Sequence, residues 1–331
     1  HQERLRGPWG LGHVRYATMG STDVEDAHPI PVSYPYGLAM VHNGNVTNFD
    51  EVRESLYAEH HRLVSTSNDA ALILYTFAAE LEKCDLSSLS ILDLFGCVEA
   101  TQRAIAGAYS AVCLIAGRGL LAFADPHGIR PLVLGRRETK AGPEYAFASE
   151  TTCLDFLGFE AVEEVGPGCA IFIDGQGEIH RHQGVRGRSA FCVFEFIYFA
   201  REDSVLRGRV VAEERERMGR ALASPVAAAG TPPDVIIDVP ASGYFFAAGL
   251  ASACDAPFRR GLAKNHHIGR SFIQPTDEER RRSVRLKLNP IRGVVDGLRV
   301  AVVDDSIVRG VTSRRLVSLL RGAGAREVVM V

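Results

Sequence analysis

A change of rhythm partway along the chain narrows its fold more than any other feature. After about Gly187, short apolar runs alternate with helical segments. "DVIIDVP" leads into "GYFFAAGLASACD", and "LRVAVVDD" leads into "TSRRLVSLLRGAG" and then "REVVMV". A strand–helix–strand succession needs a crossover connection, so it predicts parallel strands and an α/β sheet. Before Gly187 the texture differs. "GLGHVRY", "YGLAMVHN", "YSAVCLIAG", "GLLAFAD", "RPLVLG", "EYAFAS" and "CAIFID" are short, apolar and bounded by Gly, Pro or Asp. Helical patterns lie among them: "AALILYTFAAELEK", which Asn68 or Asp69 can cap, and "LSILDLFGCVEATQRAI". Strands in series with helices to either side predict a layered sandwich with two sheets inside. Between these regions, "VVAEERERMGRALAS" reads as a charged amphipathic helix and "AAAGTPPD" as a linker or loop. Two domains are expected, mixed α+β and then α/β.

Bulk properties remove several function classes. The 331 residues are 46% hydrophobic and carry a net charge of -3, so no basic field points to nucleic acid or an anionic membrane. The apolar runs are strand-sized, too short to cross a bilayer, and "HQERLRGPWG" has no signal-peptide core. Seven cysteines are scattered without a CxxC pair, which predicts reduced thiols in a cytoplasmic protein.

The densest chemistry is "VVDDSIVRGVTS", Val302 to Ser313. Ligands of open α/β sheets bind beyond the carboxyl ends of the strands, where Asp304 and Asp305 are expected. Gly310 permits a tight turn, Ser306, Thr312 and Ser313 add hydroxyls, and the N–H groups of a helix start cradle phosphate. Carboxylates cannot bind phosphate, but they accept from sugar hydroxyls or hold Mg²⁺. A phosphorylated ribose presents all of these groups at once. An apolar strand ending in Asp-Asp also suits a P-loop NTPase, but no G-x-x-x-x-G-K-[ST] occurs. The glycines of "GAGAREVVMV" precede a strand, the wrong order for a dinucleotide site.

This stretch resembles the PRPP-binding motif of type I phosphoribosyltransferases, in the form found in the amidophosphoribosyltransferase family. "GLGHVRYATMGS", "PYGLAMVHNGNVTN", "ADPHGIRPLVLG", "FCVFEFIYFAREDS" and "KNHHIGRSFIQP" resemble that family in the same order. The resemblance implies an α+β Ntn-hydrolase-type sandwich, a class II glutaminase, over residues 1–188. An α/β type I phosphoribosyltransferase domain with a parallel sheet would follow over 189–331. It implies hydrolysis of glutamine and transfer of the ammonia to PRPP, giving 5-phosphoribosylamine, glutamate and pyrophosphate in the first step of purine synthesis. Asp304 and Asp305 would then contact the ribose hydroxyls and Mg²⁺, with Ser242 near the metal. Ser306 and the turn Arg309, Gly310, Thr312 and Ser313 would wrap the 5-phosphate. Lys264 and Arg270 would belong to a loop closing on PRPP, where His266 and His267 either bind anion or stand solvated. On the glutaminase side, Arg15 would pair the glutamine carboxylate, Asp69 its amino group, and Asn43 with Gly44 would form the oxyanion hole. His13, His42 and His127 are expected to be structural, because Ntn hydrolases use their N-terminal amine as base. Purine nucleotide inhibitors and a homo-oligomer follow from the family alone.

Departures from the family accompany these matches. Ala241 stands where the family is usually acidic, "NHH" replaces Asn-Arg-Tyr, and Ser67-Asn68-Asp69-Ala70 replaces Ser-Asp-Ser-Glu. The family nucleophile is an N-terminal Cys, and none of the seven cysteines occupies that place, so the stretch is expected to be a fragment lacking glutaminase activity. Cys192 matches a position that is a [4Fe–4S] ligand in some members, which leaves the cluster open. A non-catalytic PRPP or nucleotide-binding regulator of the same folds is the competing reading. Another class II amidotransferase is disfavoured by the PRPP loop.

Overall fold

The computed structural model describes residues 7–14, 26–228, 230, 232–240, 242–264, 288–307 and 310–331. Arg15, Ala241, His266, His267, Arg270 and Arg309 lie outside the described residues. The chain divides into two compact units, His1–Cys192 and Val193–Val331.

The first unit is built on a six-stranded antiparallel sheet. Its strands are β1 (Ile30–Val32), β2 (Leu38–Val46), β3 (Gly107–Ile115), β4 (Gly119–Ala124), β8 (Cys169–Asp174) and β9 (Ile179–Gln183), adjacent in that order. A second antiparallel sheet has β5 (Val133–Thr139) between β6 (Gly142–Ala148) and β7 (Glu160–Glu164). Helices α1 (Phe49–His60), α2 (Asp69–Glu82) and α3 (Ile91–Ala104) pack on the large sheet, and α4 (Thr151–Phe156) packs on the small one.

Side-chain alternation sets the layers. Tyr109, Cys113, Leu121 and Phe123 meet Leu74 and Phe77 of α2 on one face of the large sheet. Val112, Leu120, Ala122 and Ile171 meet Leu134 and Phe147 of the small sheet on the other. Val133, one residue from Leu134, turns outward to Leu154 of α4. The result is a helix–sheet–sheet–helix sandwich, as the strand and helix pattern predicts. β4 is buried along its whole length, which explains why "GLLAFA" is continuously apolar instead of alternating.

Three local expectations change. Residues 10–14 of "GLGHVRY" form no strand. β7 and β9, "EAVEE" and "IHRHQ", are strands despite their polarity, because both lie at sheet edges where charge is tolerated. The first residues of "AAAGTPPD" complete a short helix instead of starting a linker.

The second unit holds a parallel sheet of β12 (Val235–Asp238), β15 (Arg299–Val303) and β16 (Glu327–Met330), with β15 central. Antiparallel β10 (Val205–Leu206) and β11 (Arg209–Val210) precede it, and β13 (Leu262–Lys264) pairs with β14 (Leu288–Pro290). Ile236, Ala301 and Val303 face helix α7 (Tyr244–Cys254), and Ile237, Val300 and Val302 face the helix Val311–Gly322. Helix α5 (Val211–Ala221) lies on α7 at two glycines. A Cβ on Gly219 would sit 2.1 Å from the Phe246 carbonyl oxygen, and one on Gly249 would sit 2.1 Å from that of Glu216. The two backbones touch, and a methyl group there must force them apart.

Gly249→Ala is therefore expected to destabilise the second unit by about 1–3 kcal/mol, the range for overpacking, even though alanine is the better helix former. Urea unfolding followed by far-ultraviolet circular dichroism measures it, and an unchanged midpoint would refute the close-contact account.

Candidate functional site

In the first unit the site grows from backbone parity. Asp125 N–H donates to the Tyr109 carbonyl at 2.8 Å, and Tyr109 N–H donates to Asp125 Oδ2 at 3.1 Å. Both polar groups of Tyr109 thus point toward the β4 side. Gly44 pairs with Tyr109 across the β2–β3 ladder. That pair is consequently the non-hydrogen-bonded kind, and the Gly44 N–H points away from β3. β1 pairs β2 only at Leu38, Ala39 and Met40, so among the described residues no strand pairs with that edge beyond Met40. Val46 has the same parity as Gly44, and its N–H donates to Asp69 Oδ2 at 2.8 Å. The structure thereby brings two of the expected residues, Gly44 and Asp69, to one strand edge. Gly44 must be glycine: at φ 153° an added Cβ would lie 2.0 Å from the Ala108 carbonyl oxygen.

Asn43 is oriented by a residue to which the sequence assigned no role. The Arg130 guanidinium donates to Asn43 Oδ1 from Nη2 at 2.8 Å and Nε at 3.3 Å. Arginine can only donate, so this contact fixes the amide oxygen and leaves Nδ2 as the donor end. Ser110, the cross-strand partner of Asn43, donates from Oγ to the Arg130 carbonyl at 2.7 Å. The turn carrying Arg130 is wound around Asp125, which is fully buried. Its Oδ1 accepts from His127 N–H at 2.7 Å and its Oδ2 from Ile129 N–H at 3.0 Å. "ADPHGIRP" marked this turn by resemblance, but nothing in the residue types alone shows that Arg130 folds back onto Asn43.

Asn68, not Asp69, caps α2: its Oδ1 accepts from Ala70 N–H at 3.0 Å. That frees the Asp69 carboxylate to reach Val46. Of the histidines, His127 Nδ1 contacts the Arg188 carbonyl at 2.9 Å. His28 Nε2 contacts Asn68 Oδ1 at 3.0 Å, and its ring lies 4.2 Å from His13 and 5.7 Å from His42. The His28 contact thus reaches the cap residue of α2.

In the second unit the carboxyl ends of β12, β15 and β16 open on one side of the sheet. Asp304 follows β15 directly. Its N–H donates to the Val331 carbonyl at 3.2 Å, and its Oδ1 accepts from Asp305 N–H at 3.0 Å. Asp305 Oδ1 accepts from Ser306 Oγ at 2.7 Å. Burial, with the neighbouring charge of Asp305 second, pushes the Asp304 carboxyl up to about 6. Gly310 then takes the left-handed conformation, φ 66°, and starts the helix Val311–Gly322 without a side-chain cap. Its first-turn N–H groups are thus open to an anion. Thr312 is exposed and Ser313 buried at that start. Lys264, exposed at the end of β13, pairs in register with Leu288. Ser242 is half-buried between β12 and α7.

Two hard oxygen donors side by side, one of them made harder to ionise by burial and its neighbour, suit a divalent hard cation that would relieve both penalties. Among the described residues no group of three or more His, Cys, Asp or Glu is placed to hold a metal ion. Asp304 and Asp305 would therefore bind Mg²⁺ together with oxygens of a ligand. Cys192, half-buried, belongs to no such group, so the described residues do not present the thiolate set of an iron–sulfur cluster. Asp238, at the end of β12, was given no role by the sequence reading. It is 3% exposed, its Oδ1 has no hydrogen-bond partner among the described residues, and burial raises its carboxyl. By strand alternation it shares the α7 face with Ile236, whereas Asp304 shares the opposite face with Val302.

Residues 13–156 match the glutamine amidotransferase domain family. The amidophosphoribosyltransferase of Pasteurella multocida is 43% identical over 99% of this chain and 66% of its own length. That of Escherichia coli is 41% identical over 100% and 66%, and that of Saccharomyces cerevisiae 39% over 98% and 65%. A solved glutamine PRPP amidotransferase from B. subtilis, complexed with ADP and GMP, superposes with a TM-score of 0.80 at 34% identity, over 96% of this chain and 66% of that one. The chain thus spans about two thirds of the length of these relatives.

The pKa of Asp304 gives a pH prediction. Its folded value, about 6, lies above the ordinary 3.8, so the folded state binds the proton more tightly. The stability this contributes is present below about pH 4 and lost as pH rises through about 6. Asp304→Asn should accordingly stabilise the ligand-free protein at pH 8 and lose that advantage at pH 4. Thermal unfolding at both values measures it, and an equal shift at both would contradict the assignment.

Proposed function

We propose that this chain, which belongs to the amidophosphoribosyltransferase family, carries the glutaminase and phosphoribosyl-transfer sites of an enzyme opening purine synthesis. Residues 1–188 are read as the glutamine amidotransferase domain and 189–331 as the phosphoribosyltransferase domain. The single observation that carries the reading is the strand end Asp304–Asp305 followed by the uncapped, left-handed start at Gly310. A diol site and an anion site thus stand a few residues apart.

On the glutaminase side, Arg15 and Asp69 hold the amino-acid head of glutamine. Asn43 Nδ2 and Gly44 N–H then face the amide oxygen as it takes negative charge during acyl transfer. Such donors stabilise the developing charge because they are already oriented, and the Arg130 contact on Asn43 supplies that orientation. On the transferase side, Asp304 and Asp305 accept from the ribose hydroxyls, and Ser306, Arg309, Gly310, Thr312 and Ser313 hold the 5-phosphate. Ammonia attacks the anomeric carbon with its lone pair, the bond from that carbon to the pyrophosphate oxygen breaks, and the ammonium proton passes to solvent. Lys264 and Arg270 offer positive charge to the leaving pyrophosphate. Asp304, Asp305 and Ser242 would hold Mg²⁺, which when bound would further neutralise that charge.

The B. subtilis relative's complex with ADP and GMP supports regulation by purine nucleotides. A homo-oligomeric state is read from the family. All seven cysteines are free thiols, which supports a cytoplasmic location, and among the described residues no helix is long and apolar enough to cross a membrane.

The test measures 5-phosphoribosylamine formation from PRPP and Mg²⁺, with glutamine and separately with ammonia, on protein expressed from the whole open reading frame. Asn43→Ala should lower the glutamine-dependent rate about 100- to 1,000-fold, the usual cost of an oxyanion donor, and spare the ammonia-dependent rate. Asp305→Asn should lower both. PRPP binding without turnover from either nitrogen source would overturn the proposal in favour of a regulator.

A further inference from the structure

Seven cysteines scattered along the sequence form one close pair in space. Cys84 lies just past the C-terminal end of α2 and Cys97 in the middle of α3, and their Sγ atoms are 3.6 Å apart. No other pair of the seven is in sulfur–sulfur contact among the described residues, and Cys113 and Cys153, in the same unit, are buried alone and exposed alone respectively. Cys97 is 4% exposed and packed in the main core, whereas Cys84 is half-buried at its margin. One sulfur is thus within reach of a small solute, and the other is within reach of the first.

We infer that Cys84 and Cys97 form an oxidisable dithiol that closes to a disulfide joining α2 to α3. Closure needs about 1.5 Å of approach to reach an S–S bond near 2.05 Å. Rotation about the two Cα–Cβ bonds supplies it, because Cys84 stands in the turn after α2 and not within the rigid helix. The oxidant is a hydroperoxide. Cys84 sulfur attacks the terminal peroxide oxygen, breaking the O–O bond and giving a sulfenic acid and water. Cys97 sulfur then attacks the Cys84 sulfur, the S–O bond breaks, and the thiol proton leaves with the hydroxide as a second water. Two thiols and one hydrogen peroxide become one disulfide and two waters. Burial and the neighbouring Cys84 hold the Cys97 thiol well above the usual range. A thiol so held supplies little thiolate, so the second step quickens with rising pH.

The bridge would close a short loop between two helices that support the large sheet, limiting the unfolded chain more than the folded one. The inference concerns this unit's packing and holds whichever reaction the enzyme performs.

The experiment treats the folded protein with excess hydrogen peroxide, blocks remaining thiols with iodoacetamide under denaturing conditions, and maps peptides with and without dithiothreitol. The expected result is a Cys84–Cys97 linked peptide, lost on reduction, together with a thermal midpoint several degrees higher in the oxidised protein. Cys84→Ala, at the half-buried position, should abolish both the link and the shift. Recovery of Cys84 and Cys97 as alkylated thiols under conditions that oxidise exposed Cys153, or a link from either to another cysteine, would overturn the inference. The map on the unsubstituted protein decides the matter even where a variant folds poorly.

Discussion

The candidate site of the first unit depends on the buried side chain of Asp125. It accepts three backbone N–H groups, those of Tyr109, His127 and Ile129, at 3.1, 2.7 and 3.0 Å. Hydrogen bonds in a buried setting are electrostatically stronger than the same bonds in water. Two results follow from this one group. By engaging Tyr109 it decides which way the polar groups of β3 point, and hence that the Gly44 N–H points away from β3. By winding the turn 125–130 it carries Arg130 to Asn43. Asn43 and Gly44 are thus both oriented by one residue that touches neither of them.

The fold was largely legible because its layers are written in periodicity. Period-two strands, the continuously apolar β4 and the 3.6-period helices each state which faces are covered. What escaped were the polar edge strands β7 and β9, whose composition is chosen to discourage further pairing and so hides the strand. Within the site, Gly44, Asp69, Asp304 and Asp305 were legible from motif and position. Arg130, Asp125, Ser110 and Asp238 were not, because their roles arise from long-range pairing. Asn43 and Arg130 are 87 positions apart, and no local pattern encodes which carbonyl or amide a guanidinium will meet. The Cys84–Cys97 contact was invisible for the same reason, since thirteen positions separate the two without a recognisable spacing.

The second unit solves a different problem. A phosphate site must be open, yet its backbone must be rigid. The helix Val311–Gly322 is anchored from below, where Leu316 and Leu320 pack on Val300 and Val302 of β15. Its N-terminus can therefore stay without a side-chain cap, because burial of the apolar face, rather than capping, holds the helix. The same strand ends in Asp304. One apolar core thus fixes both the strand end at Asp304 and the helix that starts at Val311.

The concentration of negative charge at Asp304 and Asp305 is explained by the same geometry. An unliganded carboxylate pair beside a buried strand end is unfavourable, which is why burial and Asp305 together raise the Asp304 carboxyl to about 6. Near neutral pH Asp304 ionises against that penalty, at a cost that a bound cation would remove. A site that is destabilised when empty gains more on binding than one already at rest, since relief of the penalty adds to the contacts made. Electrostatic strain at the strand end and any affinity for a cation there are therefore two aspects of one arrangement. The rigid sheet beneath it prevents the carboxylates from escaping that strain by moving apart.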